Sequence, residues 1–117
     1  MGPLYFCTIQ NALKNNEIIF TKINDETVAF LQWKAYKKEE TYLLNKMAVR
    51  NDFIGKHIGS EILKRFQDIA KLNSKNIKLR VAKINDKTIS FYEKHGFAII
   101  DDKYSSDIVH TMFWSCK

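Results

Sequence analysis

Between Tyr42 and Ile84 the spacing of apolar residues changes twice, and this double change limits the possible folds more than any other feature of the chain. "YLLNKMAV", Tyr42 to Val49, lies between two turn signals and reads as a strand. From Ile58 onward the apolar positions Ile58, Ile62, Phe66 and Ile69 recur at helical spacing, with Leu63, Ala70 and Leu72 widening the stripe. Lys64, Arg65, Gln67, Asp68 and Lys71 fall on the opposite, solvent side, and "NSKN" supplies turn residues that end the helix. "IKLRVAKI", Ile77 to Ile84, then alternates apolar with polar residues, as a half-buried strand does. Strand, helix and strand in this order form a right-handed crossover, so the two strands are expected to run parallel.

The flanking segments extend the sheet. Glu17 to Ile23, "EIIFTKI", is β-branched and aromatic, and "NDET" after it has turn chemistry. Thr27 to Tyr36 alternates Val28, Phe30, Gln32 and Lys34 with Ala29, Leu31, Trp33 and Ala35, so it is a second strand, followed by a turn at "KKEE". "NDKTISFYEKHGF" predicts a second helix of about ten residues, capped by Asn85 or Asp86 and ended by Gly96 in the left-handed conformation. "FAII" and "IVHTMFW" are strands joined by the loop "DDKYSSD". The order β-β-β-α-β-α-β-β describes an α/β chain: a central mixed sheet flanked by helices. With 117 residues, no internal repeat and no linker, residues 1–117 read as one domain.

Composition narrows the function classes. A net charge of +6 attracts anions, but the lysines are spread from Lys14 to Lys117 and among them only Lys37 and Lys38 are adjacent. A nucleic-acid partner is therefore not the expectation, while an anionic cofactor or acidic partner agrees with the charge. Cys7 and Cys116 have neither zinc-site nor disulfide-framework spacing, so no metal is expected. "MGPLYFCTIQ" does not read as a signal peptide, and no apolar run approaches membrane-spanning length. The expected setting is the cytoplasm.

The candidate chemistry lies where the first predicted helix begins. A helix N-terminus after a parallel strand presents unpaired N–H groups and the positive end of the helix dipole, which together bind phosphate. "IGKHIG" places Gly55 and Gly59 there, with Lys56 as an added charge. An ordinary strand-to-helix turn would also use such glycines, so the loop alone does not select a function.

Read together with Asn85 and "FYEKHGF" (Phe91 to Phe97), the loop resembles the GNAT superfamily of acyl-CoA-dependent N-acyltransferases, over roughly Glu17 to Ile100. In that family an Arg or Gln, two variable residues, Gly, one variable residue, and Gly or Ala open a helix after a strand. An asparagine and a short helix carrying "FYEKxGF" follow about 35 residues later. The resemblance implies a GNAT fold and N-acetyl transfer from acetyl-CoA to a primary amine, of a small molecule or a protein, with no metal. It implies a coenzyme A site that includes Ile54 and binds the pyrophosphate by the amides of Gly55, Lys56, His57, Ile58, Gly59 and Ser60, with Lys56 screening its charge. Met47, Ala48 and Val49 would pair with the pantetheine arm as a further strand and offer an N–H to the thioester carbonyl. Asn85 would bind the pantetheine or a strand end. Tyr92 would touch the cofactor and protonate the departing thiolate.

Two positions depart from the family pattern: Ile54 replaces the Arg or Gln, and His57 replaces the first Gly. A β-carbon is acceptable at His57 provided its φ stays negative. These departures support a rival expectation, a catalytically silent GNAT-like module that binds acyl-CoA or a partner protein. His95 reads as a residue favourable to a helix C-terminus, and His110 on the last strand faces either site or solvent. Glu39, Glu40 and Asn45 are the candidates for deprotonating the acceptor amine. Trp33, Tyr36 and Tyr42 would crowd one region, as core or as the lining of an acceptor pocket. Where family members carry two helices, before Thr27, "TIQNALKNN" allows at most one short helix. The acceptor cleft is then open or completed by a second subunit, and "IVHTMFW" is a strand that could pair or swap in a homodimer.

Overall fold

The computed structural model describes residues 6–13, 16–36 and 39–117. In chain order the elements are β1 (Phe6–Leu13), β2 (Asn16–Ile23), β3 (Glu26–Lys34), β4 (Thr41–Val49), α1 (Ile58–Leu72), β5 (Asn76–Ala82), α2 (Asp86–Lys94), β6 (Ala98–Ile99) and β7 (Val109–Trp114), with a short 3-10 turn at Asn51–Phe53 between β4 and α1. They form one mixed sheet in the order β1-β2-β3-β4-β5-β7-β6. β4 and β5 run parallel, as the crossover requires, and their other neighbours are antiparallel. The fold is the expected α/β arrangement. Among the described residues no helix is long and apolar enough to cross a membrane.

Both helices lie on one face of the sheet. α1 buries Ile62, Leu63, Phe66 and Ala70 completely against Leu31 and Trp33 of β3. The Phe66 ring centre is 4.8 Å from that of Trp33 and 6.1 Å from that of Tyr42, so these three rings form the centre of the core. Burial of one such ring contributes roughly 1.5–3 kcal/mol. Trp33 and Tyr42 are therefore core residues, while Tyr36 stays exposed. α2 joins the same layer: Phe91 packs beside Gly59, and Gln67 Nε2 donates to the His95 carbonyl at 2.8 Å.

Gln67 and Leu72 correct the helical stripe read from sequence. Gln67 is buried because its side faces the end of α2, where it satisfies a carbonyl left over at a helix C-terminus. Leu72 is 87% exposed because the last turn of α1 runs past the sheet. The segment "TIQNALKNN" also differs from expectation. It belongs largely to the strand β1, whose backbone pairs with β2 from Phe6↔Lys22 to Leu13↔Asn16. The ladder next to it captures a segment too short to hold a free-standing helix. β7 pairs with β5 on one side and with β6 on the other, so at Met112 and Phe113 it has no edge left for a second copy.

Local irregularities have simple causes. Asn24 and Asp25 both take positive φ, as a two-residue hairpin turn between β2 and β3 demands. In β4 the register against β3 shifts between Trp33↔Leu44 and Gln32↔Lys46, so Asn45 is an extra, bulged residue. Before the bulge Tyr42 and Leu44 face the helices. Beyond it that face passes to Met47 and Val49, the partners of Leu31 and Ala29.

Candidate active site

The bulge prepares an opening in the sheet. β4 and β5 pair only over Thr41↔Asn76, Tyr42↔Ile77 and Leu43↔Lys78. Beyond Leu43, β4 continues to Val49 bonded to β3, and β5 continues to Ala82 bonded to β7. The two strands therefore part in a V, and the edge of β4 from Asn45 to Val49 that faces β5 carries no ladder.

A cavity of about 500 Å³ occupies the helix side of the mouth of this V. Met47 and Val49 form its strand wall, Phe53, Ile54, Gly55, His57, Ile58, Gly59 and Ser60 its loop wall, and Lys87, Thr88, Phe91 and Tyr92 of α2 its far wall. Of the residues expected from sequence, it gathers Met47, Val49, Ile54, Gly55, His57, Ile58, Gly59, Ser60 and Tyr92. Ala48 lies on the opposite face of β4, paired with Phe30. Lys56 is exposed at the rim, its Nζ 5.1 Å from the Phe53 ring centre. Asn85 precedes α2 as its N-cap residue with no side-chain cap bond, and it is exposed outside the lining.

The loop wall is a run of unused donors. Ile54 N–H donates to the Asn51 carbonyl and Glu61 N–H to the His57 carbonyl, but the six amides between them, Gly55 to Ser60, donate to no acceptor among the described residues. Gly55 has φ +83° and open space where a Cβ would project. His57 is the N-cap of α1 at φ +63°, which overturns the negative φ expected of it: the chain must turn sharply into the helix there, and the left-handed conformation achieves this. His57 is exposed and lines the cavity. Gly59 sits where a Cβ would be in ordinary contact with Met47 Cε at 3.4 Å and Phe91 Cζ at 3.6 Å. Such a run at a helix N-terminus fits a pyrophosphate.

Tyr92 is 9% exposed, with its ring edge-on to Phe91 and Phe97 at 5.4 and 5.5 Å. Burial pushes its phenol above the ordinary value, so it stays protonated across the neutral range. Phe53, Lys87, Thr88 and Phe91 were not singled out by sequence reasoning. The signal for the α2 residues was the helical spacing of 87, 88, 91 and 92 on one face. Phe53 lies in the 3-10 turn and had none.

His95 and His110 take structural places. His95 is the C-cap of α2 with Nδ1 2.8 Å from the Phe91 carbonyl, and His110 Nδ1 contacts the Asp101 carboxylate at 3.0 and 3.1 Å. Of the residues offered for deprotonating the amine, Glu39 lines a second cavity, on the other face of the sheet, and Glu40 and Asn45 do not. No group of three or more His, Cys, Asp or Glu residues that could hold a metal is found among the described residues.

Comparison with known proteins agrees with this geometry. The chain is similar in structure to the PaiA N-acetyltransferase of Thermoplasma acidophilum in complex with coenzyme A, with TM-score 0.76 and 20% identity, over 86% of this chain and 61% of that one. It is similar to the ribosomal-protein-S18-alanine N-acetyltransferase of Escherichia coli, with TM-score 0.79 and 18% identity, over 92% and 72%. A GNAT family acetyltransferase from Elizabethkingia anophelis with acetyl-CoA bound gives TM-score 0.75 and 20% identity, over 86% and 76%. The chain thus spans less than two thirds of the first of these proteins and about three quarters of the other two. Among curated protein sequences none matches significantly. These likenesses concern the fold. The sequence profile of the acetyltransferase (GNAT) domain, however, matches residues 14–99, which include the splayed strand, the amide run and Tyr92, so the chain belongs to the GNAT acetyltransferase family.

Proposed function

We propose that the protein transfers an acetyl group from acetyl-CoA to a primary amine by direct attack. The observation that carries this reading is the run of free amides from Gly55 to Ser60, five of whose residues line the same cavity as Met47 and Val49 of the unladdered edge of β4 and the buried Tyr92. The residues present fit coenzyme A: the amides and Lys56 for the pyrophosphate, and the edge of Met47, Ala48 and Val49 for an extended amide-bearing arm, while Asn85 lies outside the lining. Acetyl-CoA supplies the activated thioester. The chain positions it, and an N–H at the end of β4 polarises the carbonyl. As the C–N bond forms and the C–S bond breaks, Tyr92 gives its proton to the sulfur and recovers one from solvent. The proton lost by the amine passes to solvent or to a carboxylate such as Glu39.

Burial of Tyr92 bears on this role in both directions. It keeps the phenol protonated and able to donate, while transfer to a thiolate of pKa near 8.5 becomes more uphill. The position of the hydroxyl, rather than its acidity, must then provide the advantage.

Acetyl-CoA at a hundredfold excess over its Kd is expected to stabilise the protein by about 2.7 kcal/mol. Tyr92→Phe is expected to keep that shift and to lower the rate of thiol release with amines by about a hundredfold or more. An unchanged rate across pH would remove Tyr92 from the mechanism. The exposed apolar Ile54, where the family carries Arg or Gln, favours a second reading as a silent acyl-CoA-binding module. Stabilisation by acetyl-CoA without thiol release to any amine would select it. The proposed setting is cytoplasmic, and sedimentation at working concentration tests for a homodimer.

A further inference from the structure

The face of the sheet opposite the helices carries a second cavity, of about 400 Å³, at the closed end of the V. Its floor is Leu43 and Lys78, the last pair before β4 and β5 part, and its sides include Lys34, Glu39, Arg80 and Tyr104. It therefore meets the opening in the sheet from the side opposite the amide run. The cavity is also charged in a particular way. Lys78 Nζ is held by the Asp102 carboxylate at 3.0 Å. Asp102 is fully used in turn: it accepts from Thr111 Oγ1 at 3.1 Å and from the Tyr104 amide at 2.9 Å. These two charges cancel. Arg80 rests its guanidinium 5.4 Å from the Tyr104 ring centre, and neither it nor Lys34 has a carboxylate partner among the described residues. What remains on the lining is the pair of cations Arg80 and Lys34, together with the carboxylate of Glu39.

We propose that this cavity takes the acceptor, and that the acceptor is an amine bearing its own carboxylate, of the size and chemistry of a free amino acid. The carboxylate goes to Arg80 and Lys34, and the amine goes toward Glu39 and the V. A guanidinium braced on an aromatic ring is pre-organised for a carboxylate, and two cations lining one cavity disfavour an acceptor that carries only positive charge. The inference rests on the transferase reading above and specifies its second substrate. Arg80 and Lys34 are assigned as specificity-determining residues, remote from the acetyl-CoA cavity.

The test uses the full chain and matched pairs of an amino acid and its decarboxylated amine: L-alanine with ethylamine, L-tyrosine with tyramine, L-lysine with cadaverine. The amino acid of each pair is expected to have a kcat/KM for thiol release at least about tenfold higher, the scale of one lost charged contact. Arg80→Gln and Lys34→Gln are expected to erase the preference by raising acceptor KM, leaving acetyl-CoA KM unchanged, and Arg80→Lys is expected to restore part of it. Titration of each pair into the coenzyme A-loaded protein makes the same comparison without catalysis. If acetyl-CoA stabilises the protein but both members of each pair bind and react alike, or the variants affect both alike, the inference is overturned and the transferase reading stands. If neither stabilisation by acetyl-CoA nor thiol release is seen, the transferase reading falls first, and the inference falls with it.

Discussion

His57 holds a left-handed backbone conformation at the point where a family pattern places glycine, and it does so at the entrance to the amide run. The conformation is sterically unfavourable for any residue with a Cβ, though histidine tolerates it better than a β-branched residue. His57→Gly is expected to raise unfolding stability by up to about 1 kcal/mol and to keep or improve the affinity for acetyl-CoA. His57→Val is expected to destabilise by about 1–3 kcal/mol and to weaken binding, because the loop must leave the conformation that exposes the six amides. Urea denaturation and titration with acetyl-CoA check both. A glycine-like affinity for the valine variant would mean that the loop conformation is not what binds. The sequence located this residue and its departure from the pattern, but the sign of φ depends on the angle at which α1 leaves the sheet.

At the scale of elements, the decisive feature is the bulge at Asn45, since a regular β4 would continue its pairing with β5 and close the V. Deleting Asn45 keeps Met47 and Val49 on the helix face, because the register against β3 becomes regular with the same partners. The shortened protein is therefore expected to fold, with unchanged far-ultraviolet dichroism, and to lose stabilisation by acetyl-CoA. A full thermal shift in the deletion variant would show that the opening does not depend on the bulge. Gln67 is the corresponding device between helices: its bond to the His95 carbonyl ties the two walls of the cavity together. The alternation within β3, the stripe of α1 and the Gly96 terminus of α2 at φ +89° were all readable, because each is a local period or a local backbone demand. The bulge left no such trace, and neither did the inward turn of Gln67.

For the whole molecule, stability against pH follows from groups at opposite ends of the scale. Lys78, the Tyr104 amide and Thr111 hold the Asp102 carboxyl below its usual range, and His110 does the same for Asp101. A depressed carboxyl contributes stability that is present above its unfolded pKa, near 3.9, and is lost as pH falls through the folded value. Burial pushes Tyr42 and Tyr92 up, so their contribution is present below the unfolded value near 10 and is lost as pH rises through the folded one. Stability is therefore expected to be flat between about pH 5 and 9, with an acid limb that is shallower in Asp102→Asn and an alkaline limb that is shallower in Tyr92→Phe. Denaturation midpoints across pH measure this, and an acid limb unchanged in Asp102→Asn would remove that carboxylate from the account.

By itself the sequence determined the order of elements from Glu17 onward, the parallel crossover and the two motifs that mark a phosphate-binding loop and a tyrosine-bearing helix. Those are written in short-range spacing: a period of two or 3.6, a cap, a glycine at a turn. The tertiary structure decided what spacing cannot carry. It drew "TIQNALKNN" into an edge strand, because strand pairing is settled by the neighbour and not by local propensity. It separated Trp33 and Tyr42 from Tyr36, and it parted β4 from β5 so that a free strand edge, the run of free amides and Tyr92 meet on one cavity. It also set Lys34, Arg80 and Glu39 around a second cavity although they come from three separate segments. The physical reason is the same in each case: a site is a convergence of groups distant in the chain, and only the packing of the sheet and its helices fixes which of them converge.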